Sequence, residues 1–334
     1  MFLMSLGFKI AIIVVASLVV LFFAFCFIVG VAFFNIMLRR EKNSFKEGEE
    51  LLDFNIVGVE NSDLLPAVKQ LIQAQYDLAD YLKDKEYTYL EETSDRGLKL
   101  AGWYIKNKNN NPNHPKIMIF SHGWKSSGIS DCAACAPFYF EEGYDVVLVD
   151  HQAHGHSEGK YLGFGVLDAK SMLKWVKKID AMYQGNCDIY LHGVSMGANT
   201  LMQVNGMDLP ASVKAMCADC GFTSGYEEID YLAKSKKLSF LLTKQMIWLL
   251  CKVICHYDLR TSSLDSLKHA KVPMLFIHGD KDNFVPMEQT IRSYEACTAK
   301  KELKIFSGGT HAACYVNNKE EYKKTVLNFF NNLN

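Results

Sequence analysis

Short, mainly apolar segments alternate with helical patterns from residue 87 to the C terminus, and this alternation restricts the fold more than any other feature. Residues 166–183, for example, repeat Met172, Val176 and Ile179 on one helical face. Apolar strands linked through helices form parallel sheets that are buried on both faces. We therefore predict an α/β fold with a mostly parallel central sheet and helices on both faces. The predicted strands are an antiparallel pair, 87–91 and 98–105, followed by 116–120, 145–150, 188–193, 213–218, 273–278 and 302–306.

The N terminus carries an uncharged apolar run from Ile10 to Leu38. A helix needs about 20 residues to cross the roughly 30 Å hydrocarbon core of a bilayer. We predict a single transmembrane anchor over residues 8–38. The alternative is a cleaved signal peptide, for which Gly30-Val31-Ala32 offers a small-residue cleavage site, although such peptides ordinarily have an apolar region of only about 7–15 residues.

Basic residues flank this apolar run unequally. Arg39, Arg40, Lys42 and Lys46 follow it, whereas Lys9 precedes it. Segments rich in Lys and Arg tend to stay on the cytoplasmic side of a membrane. We therefore expect the domain that follows the anchor to be cytoplasmic.

The remainder divides into a polar linker, residues 39–60, and one domain, residues 61–334, which begins with a helical pattern over 61–85. Residues 223–264 interrupt the strand–helix alternation with a long helical, apolar stretch. Lys244 and Lys252 leave too short an uncharged run there for a second span. We predict a helical cap insertion over the sheet.

Composition excludes some classes of function. The net charge is −1, so there is no general attraction to nucleic acid. The chain has 10 cysteines, and Cys132/Cys135 and Cys217/Cys220 have C-x-x-C spacing. The two pairs lie far apart, in helical and strand patterns, so we predict buried free thiols, which suit a reducing compartment.

Ser195 lies in the stretch Gly193-Val194-Ser195-Met196-Gly197, between an apolar strand and a helical pattern. A sharp turn between a strand and a helix projects a serine hydroxyl at the carboxyl end of a sheet, and flanking glycines let the two elements approach closely. This context predicts that Ser195 is a nucleophile.

A serine nucleophile needs a base and a group that orients the base. Asp280 and Asp282 follow the strand 273–278, and His311 follows the strand 302–306. The order serine, acid, histidine is the one found in α/β-hydrolases. Both aspartates remain candidates on this ground.

From about residue 87 to the C terminus, the chain resembles the α/β-hydrolases. More narrowly, it resembles their membrane-anchored bacterial serine-aminopeptidase-like branch (S33-type, hydrolase-4-like). The stretches that carry the resemblance are Ser121-His122-Gly123-Trp124, Asp150-His151-Gln152-Ala153-His154-Gly155-His156-Ser157-Glu158-Gly159, Gly193-Val194-Ser195-Met196-Gly197, Asp219-Cys220-Gly221-Phe222-Thr223-Ser224, His278-Gly279-Asp280-Lys281-Asp282 and Thr310-His311.

The resemblance implies an α/β-hydrolase fold and assigns the site. Its H-G-x-x-D-x-x-V-P pattern makes Asp282 the acid and leaves Asp280 to shape the loop. It makes His311 the base, and it gives the oxyanion hole to the backbone amides of Trp124 and Met196.

Four further histidines have competing readings. His122 is a candidate second base, but support of its own loop is the favoured role. His151, His154 and His156 suggest a zinc site, whereas the resemblance identifies a tight turn beside the nucleophile. We predict no metal and no cofactor.

We therefore predict a serine hydrolase that cleaves a carboxylic ester, or another acyl bond, through an acyl-enzyme. The expected partners are a small-molecule or lipid acyl substrate and, through the N-terminal helix, a membrane. The alternatives are a serine peptidase and a binding protein that has lost catalysis.

Overall fold

Eight strands form a single sheet in the computed structural model, which describes residues 6–40, 73, 74, 77, 82, 85–132, 135–235, 237 and 242–333. The strand order is β1-β2-β4-β3-β5-β6-β7-β8. β2 pairs antiparallel with both β1 and β4, and the other pairings are parallel. The strands are β1 (Tyr87–Thr93), β2 (Lys99–Ile105), β3 (Lys116–Ser121), β4 (Asp145–Val149), β5 (Asp188–Val194), β6 (Val213–Asp219), β7 (Met274–Gly279) and β8 (Lys301–Phe306).

Helices precede the sheet, connect its parallel strands and follow its last strand. They are α1 (Leu6–Leu38), α2 (Gly128–Cys132), α3 (Ala136–Glu141), α4 (Val166–Met182), α5 (Met196–Val204), α6 (Gly225–Ser235), α7 (Thr243–Leu250), α8 (Ser263–Leu267), α9 (Met287–Ala296), α10 (Cys314–Asn317) and α11 (Lys319–Asn331). A π-helical segment, Cys251–Cys255, continues α7 directly.

The two sheet faces bury separate apolar clusters, because successive strand residues point to opposite faces. In β3, Ile117 and Ile119 join the cluster beneath α4 and α5, whereas Met118 and Phe120 join the cluster beneath α3 and α11. The predicted mostly parallel sheet with helices on both faces is confirmed.

Several elements differ from the sequence-based expectations. The helix expected near 132–143 is two short helices, α2 and α3. Residues 223–264, the predicted cap insertion, contain α6, α7 and the π-helical segment and reach the start of α8. Helix α9 was not predicted. The predicted helix 61–85 and the predicted linker beyond Arg40 lie largely outside the described residues. Cys135, Cys217 and Cys220 are buried free thiols, as predicted, and the side chain of Cys132 lies outside the described ones.

Helix α1 has two parts with different surroundings. Residues 6–25 are exposed throughout, whereas a stripe of later residues packs on the domain. This stripe comprises Cys26, Gly30, Phe34, Met37 and Leu38. Packing on the domain therefore begins inside the segment that the sequence assigned to the anchor, because hydropathy does not distinguish a side chain facing lipid from one facing protein.

The chain remains bound to the domain just after α1. The Leu162 amide donates to the Leu38 carbonyl at 2.8 Å, and the Arg40 amide donates to the Lys160 carbonyl at 3.0 Å. The Arg40 guanidinium donates to the carbonyls of Gly155 and Ser157. The first residues of the predicted linker are thus part of the folded domain.

The turn between β5 and α5 depends on two glycines. A Cβ on Gly197 would lie 1.8 Å from the Ser121 carbonyl oxygen, and a Cβ on Gly193 would lie 2.5 Å from the Gly197 carbonyl oxygen. Both contacts are with backbone atoms, which no side-chain rotation relieves.

We expect Gly197→Ala to lower the free energy of unfolding by about 4 kcal/mol or more, since β3 and α5 must separate to admit the methyl group. Thermal unfolding of the purified full-length protein in detergent measures this. Gly7→Ala is the control, because a Cβ on Gly7 has nothing within 4 Å. Equal unfolding temperatures for the two variants would contradict the argument.

Candidate active site

Ser195 occupies the turn between the last residue of β5, Val194, and the first residue of α5, Met196. Its backbone has φ +55° and ψ −113°, a conformation that costs energy for a residue with a Cβ. The Ser195 amide donates to the Asp219 carbonyl at 2.8 Å, which ties this turn to the end of β6. The turn therefore holds the Ser195 hydroxyl at the carboxyl end of the sheet.

Ser195, His311 and Asp282 form a continuous chain of hydrogen bonds. The Ser195 hydroxyl lies 3.0 Å from Nε2 of His311, and Nδ1 of His311 lies 2.7 Å from Oδ2 of Asp282. Asp282 follows β7 and His311 follows β8, so three strand ends supply the three groups. Because a carboxylate only accepts, it keeps the proton on Nδ1 and leaves the Nε2 lone pair for the serine hydroxyl.

The Asp282 carboxylate is fully buried and held by several donors. Its Oδ1 accepts from the amides of Phe284 at 2.8 Å and Val285 at 2.9 Å. Burial by itself raises the pKa of Asp282, but hydrogen bonds from His278 and His311 outweigh it and hold that pKa well below its usual range. Asp282 is therefore ionised wherever the protein is folded near neutral pH.

His278 is a second imidazole on the same carboxylate. Its Nε2 lies 3.3 Å from Oδ2 of Asp282 and 3.1 Å from the Val285 carbonyl oxygen, both acceptors, so Nε2 carries a proton. Its Nδ1 lies 2.8 Å from the Thr290 hydroxyl in α9. His278 is completely buried. It holds Asp282 through Oδ2, the same carboxylate oxygen that His311 contacts.

Asp280 contacts a different partner. Its Oδ1 accepts from the Gly308 amide at 2.6 Å, and its Oδ2 lies 3.4 Å from the Ser307 hydroxyl. Asp280 thus joins the loop after β7 to the loop after β8, in line with the loop-shaping role predicted for it.

The loop after β3 carries the Trp124 amide between two amides that are already hydrogen-bonded. The Gly123 amide donates to Asp131, and the Lys125 amide donates to Nε2 of His154 at 3.1 Å. Between them, the Trp124 amide has no acceptor among the residues that the structure describes. A Cβ on Gly123 would lie 3.5 Å from Cβ of Ser195, so this loop abuts the serine. The Trp124 amide is free to bind an oxygen there.

The Met196 amide is the second candidate oxyanion donor. Met196 is the first residue of α5, and the first amides of a helix have no acceptor within it. The positive end of the helix dipole adds to the attraction for negative charge. The Met196 amide follows Ser195 directly in the chain, and the Trp124 loop abuts Ser195 through Gly123; the role of the two amides as oxyanion donors stays a prediction.

The neighbouring buried histidines support the loops around Ser195. Nδ1 of His122 lies 2.8 Å from the Gly123 carbonyl oxygen, and its Nε2 accepts from the His151 amide at 2.9 Å. Nδ1 of His154 lies 3.0 Å from the Gln152 carbonyl oxygen. The pKa values of His151 and His154 lie well below the usual value, mainly because both side chains are buried and secondly because His122 is close to them. Both imidazoles are therefore neutral.

Potential metal ligands come together at one place among the described residues. One trio of potential ligands there has ligating atoms within 4.8 Å of one another, namely Cys220, Asp282 and His311. Two of these three belong to the hydrogen-bonded chain that ends at Ser195. In this structure His122 and His154 use both ring nitrogens in hydrogen bonds.

Two more buried carboxyl groups lie near the site and were not predicted. Glu228 of α6 accepts from Nε2 of Gln289 at 3.0 Å, and Asp219 of β6 accepts from the Tyr322 hydroxyl at 2.8 Å. Burial raises the pKa of Glu228 to about 8 and that of Asp219 to about 6. Glu228 is therefore mostly uncharged at pH 7.

The wall beside Ser195 is apolar and aromatic. The Phe284 ring lies 4.9 Å from the His311 ring and 6.4 Å from the Trp124 ring. The Trp124 indole N–H donates to the Met37 carbonyl of α1 at 2.7 Å. The end of α1 therefore contacts the loop that carries a candidate oxyanion amide, a link that no sequence pattern indicated.

Two protein-family models each match slightly more than half of the chain. Residues 165–334 match the prolyl oligopeptidase family, and residues 60–245 match the X-Pro dipeptidyl-peptidase (S15) family. The chain belongs to the α/β-hydrolase superfamily, which includes both of these families. It is a serine hydrolase of the esterase and peptidase type. Membership of the narrower serine-aminopeptidase-like branch stays a prediction.

Individual relatives agree with this assignment. The chain is 26% identical to the Bacillus subtilis protein YqkD over 269 residues, 80% of this chain and 87% of that protein. It is 25% identical to the Danio rerio lysophosphatidylserine lipase ABHD12 over 210 residues, 61% of this chain but only 52% of that protein. Among solved structures, the Pyrococcus furiosus esterase Pf2001 superposes with a TM-score of 0.61 at 23% identity, covering 81% of this chain and 95% of the esterase. That likeness establishes the fold.

We expect His278→Asn to lower kcat about ten- to a hundredfold with little change in KM, since one hydrogen bond to a charged group contributes roughly 1.5–3 kcal/mol. Steady-state kinetics with a chromogenic ester measures both constants. The control is His269→Asn, because His269 is exposed. A change in KM alone would contradict a role for His278 in orienting Asp282.

The low pKa of Asp282 predicts a loss of stability in acid. As the pH falls, Asp282 binds a proton near pH 4 in the unfolded chain but only at a lower pH in the folded protein. Its contribution to the free energy of unfolding is therefore complete above pH 4 and decreases below that pH. We expect the unfolding temperature to drop more between pH 5 and pH 3 for the wild type than for Asp282→Asn. Exposed Asp265 provides the control substitution, Asp265→Asn. Parallel losses in wild type and Asp282→Asn would refute this.

Proposed function

We propose that Ser195, His311 and Asp282 are a catalytic triad that cleaves a carboxylic ester through an acyl-enzyme. The observation that carries this is the hydrogen-bonded chain from Ser195 through His311 to Asp282. His311 takes the serine proton as Ser195 attacks the acyl carbon, and it then protonates the leaving alcohol. Water, activated by the same imidazole, hydrolyses the acyl-enzyme.

The developing oxyanion receives the backbone N–H groups of Trp124 and Met196. The geometry favours this assignment because neighbouring hydrogen bonds immobilise the Trp124 loop before substrate binds. Donors held in place in this way stabilise the transition state without having to reorganise.

An acyl ester, including a lipid ester, is the favoured substrate class. The aromatic wall of Trp124 and Phe284 suits an acyl chain, and one relative of the chain is named a lysophosphatidylserine lipase. A serine peptidase is the second candidate, since both matching family models are named for peptidases.

We also propose that the N-terminal apolar segment, residues 8–38, is a retained single-pass anchor and that the domain faces the cytoplasm. Leu6–Leu38 is long and apolar enough to cross a bilayer, a property that signal sequences share. The unequal flanking charge favours the cytoplasmic orientation. Residues 61–334 with the insertion 223–264 are the proposed hydrolase domain and its cap.

We expect Ser195→Ala to lower kcat for p-nitrophenyl esters by about 10⁴-fold or more, as removal of a triad nucleophile does. The assay compares esters of increasing chain length with aminoacyl amides, and a fluorophosphonate probe reports labelling of Ser195. Ser235→Ala is the control, because Ser235 is exposed. Cleavage of the amides alone would establish the peptidase instead, and absence of both labelling and turnover would leave a binding protein.

A further inference from the structure

The exposed part of α1 matches the thickness of a bilayer. Residues 6–25 are exposed along their whole length, and at roughly 1.5 Å per residue they extend about 30 Å. The uncharged, exposed surface runs from Ile10 to Phe27 and Ile28, so the boundary of the hydrocarbon falls near Ile28, just past the point where α1 begins to pack on the domain. The packed part of α1 then lies directly beside the membrane surface.

The packed part of α1 rests against α7 of the insertion. A Cβ on Gly30 would lie 2.8 Å from Cβ of Met246, so the two helices touch at this glycine. Further along, Phe34 and Met37 share an apolar cluster with Ile247. The insertion is thus held against α1 next to the level where the bilayer ends.

Exposed apolar side chains concentrate on this same insertion. Outside α1, the described residues include five strongly exposed large apolar side chains, and four of them belong to the insertion. Leu249 is 47% exposed and Val253 62%. The four are Leu242, Leu249, Val253 and Ile254, which we call the apolar stripe.

The apolar stripe is continuous with the contact to α1. Leu242, immediately before α7, begins a row that continues through Met246, Leu249 and Val253 at spacings of four, three and four residues, and the last three lie on α7 and its π-helical extension. Met246, in the middle of that row, is the residue that touches Gly30. The exposed row therefore extends the surface on which α1 lies.

Trp248, next to this row, has the character of an interfacial residue. The Arg260 guanidinium lies 4.2 Å from the centre of its ring and the Lys252 ammonium 5.5 Å. Tryptophan flanked by basic side chains is common where proteins meet lipid headgroups.

The same packing leads to the candidate active site. Met37, at the end of α1, accepts a hydrogen bond from Trp124 and shares its apolar cluster with Met196. Val285, which donates to Asp282, belongs to that cluster too. Buried apolar packing is thus continuous from the contact between α1 and α7, beside the apolar stripe, to the groups around Ser195.

We propose that the apolar stripe rests in the surface of the bilayer beside α1, and that a membrane-resident acyl lipid reaches Ser195 along the packed end of α1. The route of the substrate rests on the hydrolase function proposed above, whereas contact between stripe and bilayer does not. Exposed apolar patches of this kind mark membrane or protein contacts, and continuity with the apolar helix α1 favours the membrane.

The test uses full-length protein reconstituted in phosphatidylcholine vesicles and the double substitution Leu249→Asp/Val253→Asp. We expect hydrolysis of p-nitrophenyl palmitate dispersed in the vesicles to fall about tenfold or more, because carboxylates are disfavoured in the apolar part of the interface. Hydrolysis of water-soluble p-nitrophenyl acetate should stay within about twofold, since neither residue belongs to the catalytic site. Met182→Asp is the matched control, because Met182 is 49% exposed on α4 outside the insertion, and both activities should be retained.

Unchanged palmitate hydrolysis, or parallel losses on both esters, would overturn the proposed route. Absence of Ser195-dependent hydrolysis of either ester by the wild type would instead overturn the proposed function.

A second measurement tests bilayer contact without relying on activity. Lipids brominated near the headgroup end of the acyl chain should quench the fluorescence of the wild type more than that of Trp248→Phe. Equal quenching would overturn the contact. So would a wild-type dimer that Leu249→Asp/Val253→Asp converts to a monomer, because a second copy would then cover the stripe.

Discussion

The close approach of Gly197 to the carbonyl of Ser121 is the contact on which the site depends. Strands β3 and β5 are neighbours, and α5 starts so near the end of β3 that no side chain fits at residue 197. The same approach holds Ser195 at positive φ and brings Gly123 against it. One piece of backbone packing therefore sets the distance between the nucleophile and the loop that carries the Trp124 amide.

Burial divides the histidines near this contact into two kinds. His122, His151, His154 and His278 are buried, and their nitrogens hold loops and a carboxylate in place. His311 keeps a quarter of its side chain exposed, with one nitrogen on Asp282 and the other on the serine. An imidazole whose nitrogens are committed inside the core has little capacity to transfer protons, so accessibility separates the candidate base from its neighbours.

The strands and the order of the three triad candidates could be predicted because apolar runs and loop chemistry are local properties. The same reasoning did not find α9, although Met287, Ile291 and Tyr294 recur there at helical spacing, because the side chains that this helix buries are the polar Gln289, Thr290 and Ser293. The contact between His278 and Asp282 depends on how the backbone turns after β7. The packing of α1 could not be predicted either, because the hydropathy of Cys26 and Phe34 is the same whether the side chain is surrounded by lipid or by protein.

The packed end of α1 also governs how the domain can move. A globular domain on a flexible linker swings and rotates about its membrane segment. Here the helix continues into the fold from Cys26 to Leu38, and Arg40 fastens the next residues to the carbonyls of Gly155 and Ser157. The end of α1 is therefore built into the domain, so Ser195 has a set height and azimuth relative to the axis of this packed part. A tilt of the packed end of α1 would reorient the nucleophile with it.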